Sequence, residues 1–222
     1  MRLIEIRWHR YHQQKIIMNR YLVAITVSAF VVASSIAASL KIVDVTAPNV
    51  NYVFNHTGKV TVTDQVAYFS INGLVGKGFL QSRNYSGQPG TPAAGFTAYV
   101  YRIDTTGITN AVGTNSGITT LTVNFPHLVR NLDYNGDTNK DDVFVITKGG
   151  LGAVGPKTAT LNPANKIIFT FNPPIHYGQT SYFFGLCSSN TPTTAVAQVL
   201  AITATVPPSP QTLNLTNSSP KL

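Results

Sequence analysis

The sequence predicts an all-β fold, an antiparallel β-sandwich of Greek-key or jelly-roll type behind an N-terminal signal segment. Three observations predict it. Stretches of alternating polarity, rich in β-branched and aromatic residues, recur along the chain and are punctuated by Gly, Pro and Asn. After Leu40 no stretch reads as a capped apolar stripe of helical period. About 185 residues then remain, enough to bury one core as a single domain.

Residues 1–38 read as a basic extension and a secretory signal. The signal is read from Met18, the stretch before it being either an over-extended start or a long basic n-region that stays inside: Arg20 is a short basic region, Tyr21 to Ala33 is uncharged and largely apolar, and Ser35-Ile36-Ala37 or Ala37-Ala38-Ser39 offers small residues to a signal peptidase. The expected mature N-terminus lies between Ala38 and Leu40. A retained anchor is the rival reading, because no charge occurs from Tyr21 to Leu40, about the ~20 residues a spanning helix needs. The serines at 28, 34, 35 and 39 favour cleavage.

The strands follow in order. Residues 39–48 form a short apolar strand, with Leu40, Ile42, Val43 and Val45 its apolar positions, closed by a hinge at Pro48. The β domain is expected over 49–206. Within it Val60, Val62 and Val66 alternate, Phe96, Ala98 and Val100 oppose Tyr99 and Tyr101, and Ile167, Phe169 and Phe171 share a face. Tyr182, Phe184 and Leu186 do the same, and so do Val196, Leu200, Ile202, Ala204 and Val206. About nine or ten strands result, at the spacing of a sandwich or barrel. The stretch NYSGQPGTPAAG is a turn-rich loop, and 207–222 is a Pro/Ser/Asn-rich tail expected to be mobile.

Charge falls with the leader. Five of the 16 basic residues and one of the eight acidic ones precede Ala38, so the remainder carries 11 against 7, a formal +4. These cations are scattered singly, which is a solvated surface rather than a nucleic-acid footprint. The single cysteine, Cys187, excludes an internal disulfide, and its aromatic surroundings read as a buried small hydrophobe.

The strongest local motif is NLDYNGDTNKDD, with oxygen side chains at Asn131, Asp133, Asn135, Asp137, Asn139, Asp141 and Asp142 and a glycine, Gly136, at its sixth place. It resembles the calcium loop of EF-hand and dockerin families, in which alternate oxygens wrap a hard cation. It departs from them with Asn at position one, Asp at position twelve, and strands instead of helices on either side. Calcium and a solvated Asn/Asp/Gly hairpin turn are the two readings.

Catalytic motifs are absent: no HExxH, GxSxG or P-loop occurs, the histidines 56, 127 and 176 stand apart, and no glutamate follows the leader. Outside the acidic loop only Asp44, Asp64 and Asp104 remain, without a supporting motif for glycoside hydrolysis. The expectation is a non-enzyme. Four sequons, at Asn55, Asn84, Asn214 and Asn217, are candidate surface positions for N-glycans.

This layout is similar to subunits of archaeal surface filaments of the thread and bundling-pilus kind: a leader at Met18, the Leu40–Thr46 strand, a sequon-bearing β domain and no disulfide. Bacterial biofilm-fibre proteins akin to camelysin share it. The resemblance implies an exported structural subunit at the cell surface, with Leu40, Ile42, Val43 and Val45 donated as a strand to the next copy. Its partners would be copies of itself and N-glycans, with no nucleic acid and with membrane contact only during export. The alternative is a secreted monomeric adhesion or carbohydrate-binding module. It would use the acidic loop for calcium and Tyr85, Tyr99, Tyr101, Tyr177 and Tyr182 as stacking faces.

Overall fold

The computed structural model describes residues 37–54, 64–71, 73–110, 116–125, 128–189, 195–203 and 206–215, with side chains left out at 110 and beyond 189. Residues 1–36 of the leader expected over 1–38, the sequons at Asn55 and Asn217, and Val60, Val62, His56 and His127 lie outside the described residues. Among those described, no helix is long and apolar enough to cross a membrane.

Among the described residues the fold is all-β with one short helix, and it has more strands than expected. In chain order these are β1 (Ala38–Leu40), β2 (Ile42–Thr46), α1 (Ala47–Phe54), β3 (Gln65–Phe69), β4 (Leu74–Gly76), β5 (Gly78–Ser86), β6 (Thr97–Asp104), β7 (Ile108–Asn110) and β8 (Gly117–Asn124). Then follow β9 (Val129–Arg130), β10 (Val143–Lys148), β11 (Thr158–Leu161), β12 (Lys166–His176), β13 (Phe183–Ser188), β14 (Ala195–Thr203) and β15 (Val206–Leu215). A six-stranded sheet runs β1-β11-β12-β8-β14-β15, and a seven-stranded sheet runs β2-β10-β13-β6-β5-β3 with β9 beside β13. The β4–β7 pair forms a small third sheet. Pairing is antiparallel throughout except between β2 and β10, which run parallel.

One core is shared by the two large sheets. From the six-stranded sheet it takes Leu40, Ile118, Leu121, Val123, Ile167, Phe169 and Phe171, and from the other Leu80, Tyr99, Tyr101, Ile103, Val143, Phe184 and Leu186. The period-two sets read from the sequence explain this. Ile167, Phe169 and Phe171 fall on one face of β12 because successive side chains in a strand alternate. Phe184 then meets Phe169 and Phe171 with ring centroids 4.9 and 5.7 Å away. Each such buried side chain contributes roughly 1.5–3 kcal/mol.

A second core covers the outer face of the seven-stranded sheet. Val45, Val100, Phe144, Ile146 and Cys187 point outward from the sheet, and Val50, Val53, Phe54 and Tyr134 close over them. The central strands are therefore buried on both faces, not half-buried: every residue of β13 is buried, and Phe96, Ala98 and Val100 pack opposite Tyr99 and Tyr101.

Three expectations are corrected. The hinge at Pro48 is instead the first turn of α1, where a proline costs no hydrogen bond because that amide has no intrahelical acceptor. A reciprocal cap starts the helix. The Asn49 amide donates to Thr46 Oγ1 at 3.4 Å, and Asn49 Oδ1 accepts from the Thr46 amide at 3.3 Å. Val50, Val53 and Phe54 then share its buried face, and the amides of Gln88 and Ala93 bond the carbonyls of Phe54 and Val53 at its end. The tail expected from 207 is, up to Leu215, strand β15 paired with β14. Its prolines are tolerated because, among the described residues, β15 is the last strand of its sheet and has one side without a ladder. Val66 faces solvent at 44% exposure, while Phe69 is the buried end of β3, so the alternation there has the opposite sense.

Candidate functional site

The N-terminal segment occupies a distinctive place. β1 is the terminal strand of the six-stranded sheet, pairing Ala38–Leu40 with Leu161–Ala159 of β11. One residue later β2 is the terminal strand of the other sheet, pairing Ile42, Val43, Asp44 and Val45 with Val143, Phe144, Val145 and Ile146 of β10. Nine residues thus finish one edge of both sheets, and they do so within their own chain. Of the four apolar positions, Leu40 enters the shared core, Ile42 packs against it, Val45 enters the outer core and Val43 packs against that one.

The step between sheets is made at Lys41, and the end of the acidic loop holds it. The Lys41 amide donates to Asp142 Oδ2 at 2.8 Å, and the Lys41 carbonyl accepts from the amides of Asp142 and Val143, both at 3.0 Å. Lys41 Nζ reaches Asp141 Oδ1 at 2.9 Å. The Asp141 side chain is only 3% exposed, and its Oδ2 has no hydrogen-bond partner among the described residues. The hydrogen bond to Asp141 raises the Lys41 pKa, with the charges of Asp141, Asp137 and Asp142 adding to it.

The rest of the acidic loop is folded on itself. Leu132 and Asp141 close it through paired amide–carbonyl bonds of 3.0 and 2.9 Å. Asp133 Oδ1 accepts from the amides of Gly136 and Asp137, and its Oδ2 from Thr138. Asp137 bonds the Asn135 side chain and the Asn139 amide, and these contacts, the Asn135 bond first, lower its pKa. Gly136 is left-handed at φ 83°, the conformation glycine adopts without strain. Tyr134, in the middle of this polar stretch, is fully buried against Phe144 and Phe54. The carboxylates are thus turned to backbone amides and to Lys41. Among the described residues no three His, Cys, Asp or Glu side chains are grouped as metal ligands.

An open cleft of about 660 Å³ lies beside the first turn of α1, lined by Pro48, Asn51, Arg83, Tyr85, Leu151 and Phe183 among others. Arg83 forms its polar wall: one nitrogen pairs with Asp64 at 2.7 Å, another donates to the Tyr85 hydroxyl at 3.2 Å, and the guanidinium lies 4.5 Å from the Phe183 ring centroid. Leu151 stands 61% exposed at the rim. Nothing in the sequence pattern brought Arg83, Asp64 and Phe183 together, because they meet across three chain segments.

The remaining candidates separate. Tyr85, Tyr99 and Tyr101 are buried and Tyr182 packs half-buried against the shared core, so of the five proposed stacking faces Tyr177, at 37%, is the exposed one. The exposed rings that sequence reasoning passed over are Tyr52 and Tyr68, at 74% and 65%. Asn84 lies within β5 at 7% exposure, which corrects its reading as a surface position: a sugar on that amide would displace the packed neighbours. Asn214 falls in β15. His176 is the last residue of β12, its ring nitrogen 3.1 Å from the Ser116 carbonyl. Asp64 and Asp104 are paired with Arg83 and Arg102 respectively, and Asp44 lies exposed on β2. Burial pushes the Cys187 thiol up to about 12, against the opposing pull of the Tyr134 hydroxyl. The chain matches no known protein family, no curated protein and no solved structure.

Proposed function

We propose that the chain is an exported structural subunit of a cell-surface filament. Its body is a β-sandwich made by the two large sheets, and copies are linked by exchange of the 38–46 segment. The observation that carries this reading is the double edge. Removing nine N-terminal residues would expose the ladder groups of β11 and β10 at once and open both cores. A second copy offering the same segment restores every one of those bonds, so exchange costs no contacts and propagates head to tail. The leader pattern, the sequons and the single cysteine agree with assembly outside the cell. Exchange would start by opening the Thr46–Asn49 cap, the joint between β2 and α1.

Pairing within one chain favours a second reading, a self-complemented monomer. In that case the Arg83 cleft is the natural binding surface of a secreted module. Electron microscopy of natively exported material separates the two. Fibres are expected, with an N-terminus between Ala38 and Leu40 by mass spectrometry. Particles of monomer mass that never assemble, with 38–46 protected in cis, would overturn the filament.

A further inference from the structure

We infer that the Asp141–Asp142 pair is a clasp that selects Lys41 and thereby fixes the register of the N-terminal segment, its partner in the assembled protein being the 38–46 segment of a second copy. The trans partner rests on the filament reading; the clasp does not. Lys41 is the only cation among residues 38–46, and it stands where the segment leaves one sheet for the other. Asp142 grips its main chain with a carboxylate and an amide, and Asp141 grips its ammonium.

The clasp discriminates through Asp141, whose carboxylate is shielded from water although the Lys41 side chain that meets it is 60% exposed. Asp141 is 3% exposed, with one oxygen on Lys41 and the other unpartnered. A segment slipped by one residue would set Leu40 or Ile42 against that carboxylate and leave it buried without a counter-charge, a costly state. The same slip would turn Val43 and Val45 from the outer core toward the inner one, since side chains alternate along a strand. Charge and packing therefore specify one register together. The main-chain grip of Asp142 alone would accept any residue; the ammonium requirement of Asp141 makes the site specific for this segment. The acidic loop is in this view the receptor of the strand, held rigid by its own Asp133 and Tyr134 contacts.

The test uses the natively produced full chain carrying Lys41→Glu, Asp141→Lys, or both. Each single variant is expected to lower fibre yield roughly tenfold or more. A one-to-one mixture of the two singles is expected to recover fibres, because each donor then meets a complementary acceptor only on the other chain. The double variant is expected to assemble alone. Rescue by mixing cannot arise from pairing in cis. Should the long side chain at 141 prevent folding, Lys41→Met and Asp141→Asn replace the reversals. Each should speed amide exchange over residues 39–46 by roughly tenfold, and the pair together no more than either alone. Wild-type fibre yield from either single reversal, or unchanged exchange in the milder variants, overturns the clasp. Wild-type chain that forms no fibres removes the filament and the trans partner, while the exchange measurement still decides the clasp in the monomer.

Discussion

Tyr134 and Phe144 meet with ring centroids 4.9 Å apart, joining the middle of the most polar loop to the outer face of a sheet. Phe54 of α1 lies 6.5 Å from the same tyrosine. An acidic hairpin with a fully buried aromatic at its centre is a structural element, not a free surface turn. Tyr134→Ala should therefore destabilise the protein by about 3–5 kcal/mol, as large-to-small core changes do. Urea unfolding measures it, and a loss below about 1 kcal/mol would mean that the loop is not anchored.

Asp133 accepts three backbone amides, and no cation is needed to hold that arrangement. Asp133→Ala should cost about 1–3 kcal/mol through the orphaned amides. Melting curves in calcium and in chelator should coincide for both wild type and variant. A melting temperature that rises with calcium in the wild type and not in the variant would restore the cation-loop reading.

Tyr101 is buried against Phe169 and Phe184, and its hydroxyl has no hydrogen-bond partner. Tyr101→Phe removes an unsatisfied polar atom at nearly constant shape. The expected result is unchanged stability or a gain of up to about 1 kcal/mol. A loss above about 1 kcal/mol would reveal a partner for that hydroxyl, in protein or water.

High pH should be the weak side of this protein. Burial holds both the Cys187 thiol and the Tyr99 phenol up at about 12, against ordinary values of 9.0 and 10.0. Burial also raises Tyr101 and Tyr134. The unfolded chain gives up these protons first, so the folded state binds more protons in that range and stability falls as pH rises. The contribution is complete below about pH 9 and is lost progressively towards pH 12, by about 1.4 kcal/mol per pH unit for each retained proton. Cys187→Ala should move the onset from about 9 to about 10, since tyrosine then titrates first. A flat stability profile from about pH 8 to about pH 11 would contradict the burial of these groups. In the folded state below the onset, Cys187 should resist thiol reagents and become reactive only on unfolding.

The central strands were legible because their signal is local. Ile167, Phe169 and Phe171 declare one face of β12 by spacing alone, and Tyr99 and Tyr101 declare one face of β6. Helix α1 was also written in the chain, as Thr46 and Asn49 at capping distance followed by Val50, Val53 and Phe54 at helical spacing. Pro48 concealed it, because the same residue opens turns and helices alike. Val66 and Asn84 were misplaced for another reason: which face of a strand is inside is decided by its neighbours. The clasp around Lys41 and the Arg83 cleft were out of reach, since each depends on segments far apart in sequence brought together by sheet order.

Lys41 and Asp142 are separated by 101 positions, and β11 lies further on still. β1 and β2 therefore wait until β11 and β10 have been made before their own ladder partners exist. At typical elongation rates of about 5–20 residues per second, that wait is on the order of 5–20 s. Throughout it the apolar positions 40, 42, 43 and 45 lack the strands they pair with in the finished fold. In the proposed assembly a finished neighbour with an open edge would meet no competition from the home site during that wait, so the order in which the chain appears would favour closing a second copy.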